Sequence, residues 1–395
     1  MTIRELKDFL LYYCPDIPGL RKFLAQKKVR QLRSHLIPEQ EVLLGEADFE
    51  ERRRIVEKYI AKWPKYCAIA EKMIQKLLRD APSYRNRTDH DAIRVEMHFC
   101  RLAYGFAADE YLFFGLEDKS PAERRTYVSH LERISNAFCM NDFSQMQVFN
   151  DKWKTYCLLK PFYRRDAVML SKPWHFSRFR EFVKAHPVFV KKQVNLSWGQ
   201  SVALVDSNGC GRSGRELFDQ LIASGKVILE EPIVQSPAMA AFNPDSVNTI
   251  RCVTLNTRRG IEIFPHSFMK NGRKGSFVDN GGAGGVLVGI DDCTGIVDTD
   301  GMDELGCIYS AHPDTGVVYK GYQLPDWDQM IATCKEMARY APKMKYCSWD
   351  MAHTKDGWVV VEGNMAGQMV GQQMTINRGV KADLEAAMSE MDLMV

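Results

Sequence analysis

The sequence predicts an α+β fold in which a helical N-terminal region precedes a mixed C-terminal half. Residues 3–78 are helix formers with apolar side chains at helical spacing, whereas short β-rich runs dominate residues 186–322. A polar, turn-rich segment at 80–91 separates the two. We divide the 395 residues into a helical N-terminal region at 1–90, a helical linking region at 91–185 and a mixed α+β domain at 186–395.

The elements of the second and third parts follow from local patterns in chain order. Apolar side chains at helical spacing predict helices at 92–105, 122–138, 215–223, 327–340 and 381–391. The helix at 122–138 is also favoured by the start signal Ser120-Pro121 before it. Strands are favoured by short runs of β-branched and other apolar residues, at 188–190, 202–205, 227–229, 247–256, 261–269 and 286–290. A hairpin is predicted at 346–364.

The composition argues against several classes of protein. With 53 basic and 50 acidic side chains the formal net charge is +3, too small to indicate a nucleic-acid partner. No run approaches the ~18 apolar residues that cross a bilayer, and the first residues lack a secretory cleavage site. The 11 cysteines include no CxxC pair, which favours free thiols in a reducing compartment. We therefore predict a cytoplasmic protein without membrane insertion.

The predicted hairpin is the most informative segment. We take its loop as the three residues 355–357, because the last of them, Gly357, can adopt the left-handed conformation that such loops need. Counting outward puts Asp350 opposite Glu362, with Asn364 further along the same face. Facing carboxylates raise each other's pKa unless a cation lies between them, and oxygen ligands of this kind suit Mg2+ with a nucleotide phosphate. A two-residue turn would instead put the two carboxylates on opposite faces, and a solvated polar face is the simpler alternative.

At these residues the sequence resembles the ATP-grasp superfamily, whose members carry an acidic residue on one strand and Glu-x-Asn on the next. The resemblance implies that Asp350, Glu362 and Asn364 bind the Mg2+ of Mg-ATP, with two ions expected and Mn2+ as an alternative metal. It also implies that two α+β lobes hold ATP between them, a small lobe at about 186–232 and a large lobe at about 233–395.

The same resemblance suggests the ATP-binding residues of the small lobe. Lys152 matches a lysine early in the family's nucleotide-binding region, and Lys191 matches a second one on a strand before a Gly-containing loop; Lys192 is the alternative to Lys191. Lysines placed in this way neutralise triphosphate oxygens. Glu230 and Glu231 end the strand that in the family links the lobes, where one acid receives the ribose hydroxyls; the sequence does not order them.

Further motifs narrow the resemblance to the sugar-transfer-associated branch, over about residues 109–388. Asn-Thr-Ile-Arg ends at Arg251, Asn280 precedes paired glycines, and His312 begins His-Pro-Asp-Thr-Gly. The resemblance implies that Arg251 clamps the transferring phosphoryl group, and that Asn280 with the glycine loop adds hydrogen-bond donors. Lys270, the third predicted catalytic residue, stands where the branch usually has arginine, so that a point charge replaces a bidentate fork. His312 is either an acid or base or the holder of its own turn.

These motifs together predict an ATP- and Mg2+-dependent ligase that joins a carboxylate to an amine through an acyl phosphate and releases ADP. By resemblance, its setting is the assembly of bacterial cell-surface polysaccharide or glycoconjugate, and its small-molecule substrates are free or sugar-linked. Three alternatives stay open: an ATP-grasp phosphotransferase acting on a hydroxyl, a non-catalytic nucleotide-binding scaffold, and an NAD(P)-dependent Rossmann oxidoreductase. The last is suggested by Gly209-x-Gly211-x-x-Gly214 between a strand and a helix. The oligomeric state also stays open.

Overall fold

The structure, a computed structural model, describes residues 18–194, 202–276 and 284–395. Within these ranges helices precede two β-sheets, so the predicted α+β class is confirmed. The helices are α1 Pro18–Arg33, α2 Glu39–Ala47, α3 Phe49–Lys62, α4 Pro64–Asp80, α5 His90–Tyr104, α6 Ala108–Phe113, α7 Pro121–Arg124, α8 His130–Met140, α9 Phe143–Phe149, α10 Lys152–Tyr163, α11 Phe176–Ala185, α12 Gly214–Ala223, α13 Pro237–Ala240, α14 Trp327–Tyr340, α15 Val370–Thr375 and α16 Lys381–Ser389.

The strands fall into a small and a large sheet. In chain order they are β1 Ala167–Leu170, β2 Val188–Gln193, β3 Ala203–Asp206, β4 Val227–Glu230, β5 Thr249–Thr257, β6 Gly260–Asn271, β7 Val286–Asp291, β8 Ile296–Val297, β9 Gly301–Met302, β10 Ile308–Tyr309, β11 Tyr346–Thr354 and β12 Gly357–Asn364. The small sheet has the order β1-β4-β2-β3, and the large one β10-β9-β7-β6-β5-β11-β12 with β8 beside β7.

One predicted helix of the linking region is in fact two. The helix expected at 122–138 begins at its Ser120-Pro121 signal, but α7 ends at Arg124 and α8 begins only at His130. The reason is a second capping box, in which the Ser129 hydroxyl accepts a hydrogen bond from the Glu132 amide and the Glu132 carboxylate accepts one from the Ser129 amide. A helix start inside the predicted helix therefore divides it.

The sheet of the predicted small lobe includes a strand from outside the predicted bounds of about 186–232. β1 pairs with β4 along Ala167 to Leu170 and so belongs to the same sheet as the strands of that lobe. The helices α11 and α12 cover one face of this sheet and bury Phe179, Phe189 and Phe218 against it. In the sequence α11 separates β1 from the other strands of the lobe, so the pairing of β1 with β4 leaves no local signal.

The large sheet has one apolar and one partly polar face. The helix α14 packs Met330, Cys334 and Met337 onto the apolar face, where Ile250 and Trp349 are fully buried. The opposite face is covered in part by α15 and α16 and presents charged side chains near the centre of the sheet. This partly polar face holds the candidate site.

The sheet topology removes the oxidoreductase alternative. Every pair of neighbouring strands within the described ranges is antiparallel. A dinucleotide-binding fold requires parallel strands with crossover helices. The segment 209–214 is instead a turn between the edge strand β3 and α12, so its glycine pattern is not a dinucleotide fingerprint.

The structure also bears on two predictions made from composition. All the cysteines in the described part of the chain are free thiols. In the same part, no helix combines the length and the apolar character that crossing a bilayer requires.

Candidate active site

The hairpin β11–β12 brings the two predicted metal-binding carboxylates together by an unexpected route. Thr354 pairs with Gly357, so the turn has two residues and the three-residue loop was wrong. Further along, Met351 pairs with Val360 but Asp350 pairs with Glu362, because a β-bulge adds one residue to β12. The bulge reverses the effect of the shorter turn, and the predicted pairing of Asp350 with Glu362 is confirmed.

Asp350 is bound by two cations of the protein itself. Arg251 donates from Nε and Nη2 to the two carboxylate oxygens at 2.8 and 2.7 Å, and Lys270 donates from Nζ to Oδ2 at 3.0 Å. Burial alone would raise the pKa of the Asp350 carboxyl, but the charges of Arg251 and Lys270 outweigh it and hold that pKa well below its usual range. In this structure an arginine and a lysine therefore neutralise the Asp350 carboxylate.

Strand pairing explains why these three side chains meet. Arg251 on β5 lies opposite Asp350 on β11. On the other side of β5, Thr249 pairs with Lys270 of β6, two residues from Arg251 and hence on the same face. Three adjacent strands thus project Lys270, Arg251 and Asp350 onto the partly polar face.

Glu362 and Asn364 complete the acidic part of the site. The Asn364 amide donates from Nδ2 to Glu362 Oε1 at 3.3 Å and lies 3.5 Å from Asp350 Oδ2. Both residues are half-buried, whereas Asp350 is only 2% exposed. The predicted set of Asp350, Glu362 and Asn364 therefore converges at one place.

The donor chemistry of this set fits Mg2+. Two carboxylates and an amide supply the hard oxygen ligands that this ion prefers, and few protein ligands leave positions for water and phosphate. Glu362 is the most available of them, because the oxygens of Asp350 bind Arg251 and Lys270 and the Asn364 amide must turn over to present its oxygen.

The small lobe contributes a second buried ionic cluster, centred on Glu230. Oε2 of Glu230 accepts hydrogen bonds from Lys192 Nζ at 2.9 Å and from Arg165 Nε and Nη2 at 3.0 and 2.8 Å. Burial would raise the pKa of the Glu230 carboxyl, but the charges of Lys192 and Arg165 lower it to about 2. Nothing in the sequence pattern singled out Arg165, which lies in the loop before β1.

Lys152 lies close to charged groups of both clusters. It is the first residue of α10, where its backbone amide donates to the Val194 carbonyl at the end of β2. Burial lowers the pKa of its ammonium group, on which the charges of Glu362, Lys192 and Glu230 also act. The predicted phosphate-binding Lys152 therefore lies near the acids of both lobes.

The structure favours Lys192 over Lys191 in the predicted ATP site. Lys192 pairs with Ile228, two residues from Glu230, so Lys192 and Glu230 share one face of the small sheet. Lys191 pairs with Leu229 and lies on the opposite face, the one that α11 and α12 cover. Lys191 does not join the cluster, because side chains alternate between the faces of a strand.

Glu231 also lies apart from the cluster. Its carboxylate accepts a hydrogen bond from the Asp166 backbone amide at 3.1 Å, and its own amide donates to the Asp166 carbonyl at 2.9 Å. Of the two acids that the sequence left unordered, the structure brings Glu230 to the lysines. The remaining predicted residue, Asn280, lies outside the described residues.

His312 is occupied within its own turn. It is 1% exposed, its Nε2 lies 3.0 Å from the Gly272 carbonyl, and its Nδ1 accepts a hydrogen bond from the Asp314 amide at 3.3 Å. Both ring nitrogens therefore have partners, which favours the turn-holding alternative over a role as acid or base.

The site as a whole carries an excess of positive charge. Its carboxylates are Glu230, Asp350 and Glu362, and its cations are Lys152, Arg165, Lys192, Arg251 and Lys270. Among the described residues of the cluster, positive charges thus outnumber negative ones. Such an arrangement suits a polyanion that arrives with a divalent cation.

Comparison with known proteins adds a family match and several structural neighbours. Residues 135–388 match the family described as sugar-transfer associated ATP-grasp. No curated protein matches the chain.

The solved structures that resemble the chain include two ligases and a synthetase. The ATP-grasp ligase PsnB complexed with minimal precursor has a TM-score of 0.40 and 10% identity, with 64% of this chain and 64% of that chain covered. The VanG D-Ala:D-Ser ligase from Enterococcus faecalis has a TM-score of 0.41 and 12% identity, with 63% of each chain covered. The N5-carboxyaminoimidazole synthetase from Staphylococcus aureus complexed with ADP has a TM-score of 0.40 and 8% identity, with 64% of this chain and 55% of that one covered. The chain therefore covers less than two thirds of each of these structures.

Proposed function

Because the chain belongs to the sugar-transfer associated ATP-grasp family, we propose that it is an ATP- and Mg2+-dependent ligase that joins a carboxylate to an amine. The γ-phosphoryl group passes from ATP to a carboxylate oxygen of the substrate, and ADP leaves. The amine then attacks the carbonyl carbon of the acyl phosphate, inorganic phosphate departs with the C–O bond electrons, and the nitrogen loses a proton. The product is an amide.

The observation that carries this proposal is the register of Asp350 and Glu362 beside Arg251 and Lys270. It gathers oxygen ligands for a divalent cation and two fixed cations on one face of one sheet. The Mg2+ ion, when bound, would neutralise phosphate charge and orient the phosphates. Glu362 is the residue that we expect to hold it most directly, with Asp350 and Asn364 beside it; a second ion and Mn2+ in place of Mg2+ belong to the same proposal.

The lysines of the small lobe would bind the phosphates of the nucleotide. Lys192 and Lys152 approach the site from the end of β2 and the start of α10, and the charges of Glu230 and Glu362 hold them there. Glu230 would then serve chiefly to position Lys192, since its Oε2 already accepts three hydrogen bonds from cations.

Arg251 and Lys270 would stabilise the group in transfer. Both lie on the partly polar face beside Asp350, where they would meet an incoming phosphoryl oxygen, and the planar fork of Arg251 fits two oxygens at once. Asn280 remains a proposed donor from the glycine loop. Fixed donors of this kind lower the barrier most when charge develops against them, as it does on the transferring phosphoryl group.

The family description supports a setting in sugar transfer. We propose that the carboxylate or the amine is carried on a sugar or a similar metabolite, in the assembly of surface polysaccharide or glycoconjugate in the cytoplasm.

The test is a screen of carboxylate and amine pairs for ADP release, with hydroxylamine as a trap for the acyl phosphate. A ligase should release ADP only with a carboxylate, and hydroxylamine should divert the intermediate to a hydroxamate. Release of ADP with a phosphorylated product that survives hydroxylamine would indicate a phosphotransferase instead. No turnover with any pair, together with intact nucleotide binding, would indicate a scaffold.

A further inference from the structure

Arg165 connects the ionic cluster around Glu230 in the small lobe to the hairpin β11–β12 of the large lobe. Its Nε and Nη2 donate to Glu230 Oε2, and its Nη1 donates to the Val360 carbonyl at 2.7 Å, with Nη2 lying 3.4 Å from the Val361 carbonyl. The Arg165 and Glu230 side chains are each only 4% exposed. One buried guanidinium thus contacts an acid at the end of β4 and two consecutive carbonyls of β12.

Those two carbonyls lie where β12 departs from a regular strand. Successive carbonyls of a regular strand point to opposite edges, so that a single group cannot reach both. Val360 pairs with Met351 and Glu362 pairs with Asp350, which leaves Val361 as the extra residue of the bulge. The guanidinium therefore contacts the one place in β12 that determines on which face Glu362 lies.

We propose that Arg165 is a positioning residue, which holds the β12 bulge and so keeps Glu362 opposite Asp350 for metal binding. In the described part of the chain β12 is the last strand of the large sheet, so its outer carbonyls face no other strand there, and Arg165 takes the place of one. The other arm of the guanidinium is fixed by Glu230. The position of Glu230 in the small lobe is thereby linked to the geometry of the proposed metal ligands.

The shape of the side chain matters for this role. A guanidinium presents several donors in a rigid fork and remains charged when buried, so it can bind a carboxylate and two carbonyls at once. Lysine at this position would reach one side or the other. The Arg165 guanidinium also stacks 4.5 Å from the centre of the Tyr163 ring, which further limits its movement.

The matched control is the adjacent arginine. Arg164 also donates to a carbonyl of the same hairpin, that of Asp356 at 2.9 Å, but it does so at the exposed turn and far along the strand from the bulge. Removing Arg164 therefore removes an arginine–carbonyl contact to this hairpin without touching the bulge or Glu230.

The experiment measures how strongly Mg2+ enhances ADP binding, and it rests on the proposed function. Calorimetry gives the ADP dissociation constant with EDTA and with saturating Mg2+, and the ratio of the two is compared in wild type, R165Q, R165K, R164Q and E362Q. We expect R165Q to lower the ratio about tenfold or more, as loss of an outer-sphere partner of a metal ligand does. R165K should lie in between, R164Q should match wild type, and R165Q/E362Q should be no lower than E362Q alone.

Melting temperatures separate positioning from a purely structural role. If Arg165 only supports the fold, its variants will melt earlier but keep the wild-type ratio, and this result would overturn the inference. Should R165Q not fold, R165K alone decides, because an unchanged ratio in that variant is equally contrary to the proposal. If the ratio of the ADP dissociation constants with EDTA and with Mg2+ is one in wild type, both the proposed function and the inference are refuted. If that ratio is high in wild type and equally high in the Arg165 variants, only the inference is refuted.

Discussion

The two carboxylates of the hairpin should differ sharply in what they contribute to stability. Asp350 is 2% exposed and binds Arg251 through two hydrogen bonds and Lys270 through one. Replacing it by asparagine leaves the two buried cations without their counter-charge, and breaking a buried pair in this way costs about 3–5 kcal/mol. Glu362 is half-buried and its contact with Asn364 is an amide hydrogen bond at 3.3 Å, so E362Q should change the free energy of unfolding by no more than about 0.5 kcal/mol.

Urea denaturation of the ligand-free protein measures this difference. Trp349, next to Asp350 and fully buried, is among the 7 tryptophans whose fluorescence reports unfolding. With a denaturant slope of about 1–3 kcal/mol/M, D350N should shift the midpoint down by about 1 M or more and E362Q hardly at all. The double variant R251Q/D350N removes one charge of each sign and should lose less than the sum of the single variants.

Two results would refute this reasoning. If D350N were as stable as wild type, the contacts of Asp350 with Arg251 and Lys270 would not be those of the folded protein in solution. If E362Q were destabilised as strongly as D350N, Glu362 would be a structural group and could not be an available metal ligand.

Three further predictions concern the small lobe, a buried acid and the hairpin turn. K192Q should weaken ADP binding by about tenfold, since it removes a charged phosphate donor, while K191Q on the opposite face should stay within about twofold; equal losses by calorimetry would contradict the assignment of faces. Burial, with the nearby charge of Asp109, raises the pKa of the Glu110 carboxyl to about 8 from an ordinary 4.5, so the folded state keeps a proton that the unfolded state releases, and stability from this group is lost as the pH rises through that window. The stability of E110Q relative to wild type should therefore rise by roughly 1.4 kcal/mol per pH unit between about pH 5 and about pH 8, and a difference in melting temperature that does not vary with pH would show this to be wrong. G357A should lower stability by about 1 kcal/mol or more, because φ is +95° at Gly357 and an added Cβ would lie 2.7 Å from the Gln329 amide oxygen; a melting temperature equal to wild type would contradict that geometry.

The hairpin β11–β12 shows how much of the site local sequence patterns predict. The sequence predicted the pairing of Asp350 with Glu362 but reached it through a three-residue loop, whereas the protein uses a two-residue turn and a bulge at Val361. No local signal distinguishes these two solutions, because both place the same residues opposite one another. Beside the bulge, the Arg165 guanidinium contacts the carbonyls of Val360 and Val361, and such a contact from a distant part of the chain has no local signal.

In the small lobe, the features that the sequence did not predict depend on how strands pair with one another. Whether Lys191 or Lys192 faces the site depends on the register of β2 with β4, which the sequence of β2 alone does not contain. The same holds for β1, whose partner β4 lies about 60 residues further along the chain, and for Arg165, which acquires its role only when that pairing brings it to Glu230. By contrast, α14 was predicted with its bounds at Trp327 and Tyr340, because the apolar periodicity of a long amphipathic helix lies entirely within its own residues.

A thermal-shift comparison with ADP, ATP, NAD and NADP, each with and without Mg2+, on wild type and E362Q shows whether the site binds a nucleotide together with Mg2+. A ligand that binds only the folded state raises the melting temperature by mass action. We expect ADP and ATP to raise the melting temperature of the wild-type protein and Mg2+ to raise it further. In E362Q the further increase due to Mg2+ should be lost. Stabilisation by NAD or NADP alone, or no response to any nucleotide, would contradict this expectation.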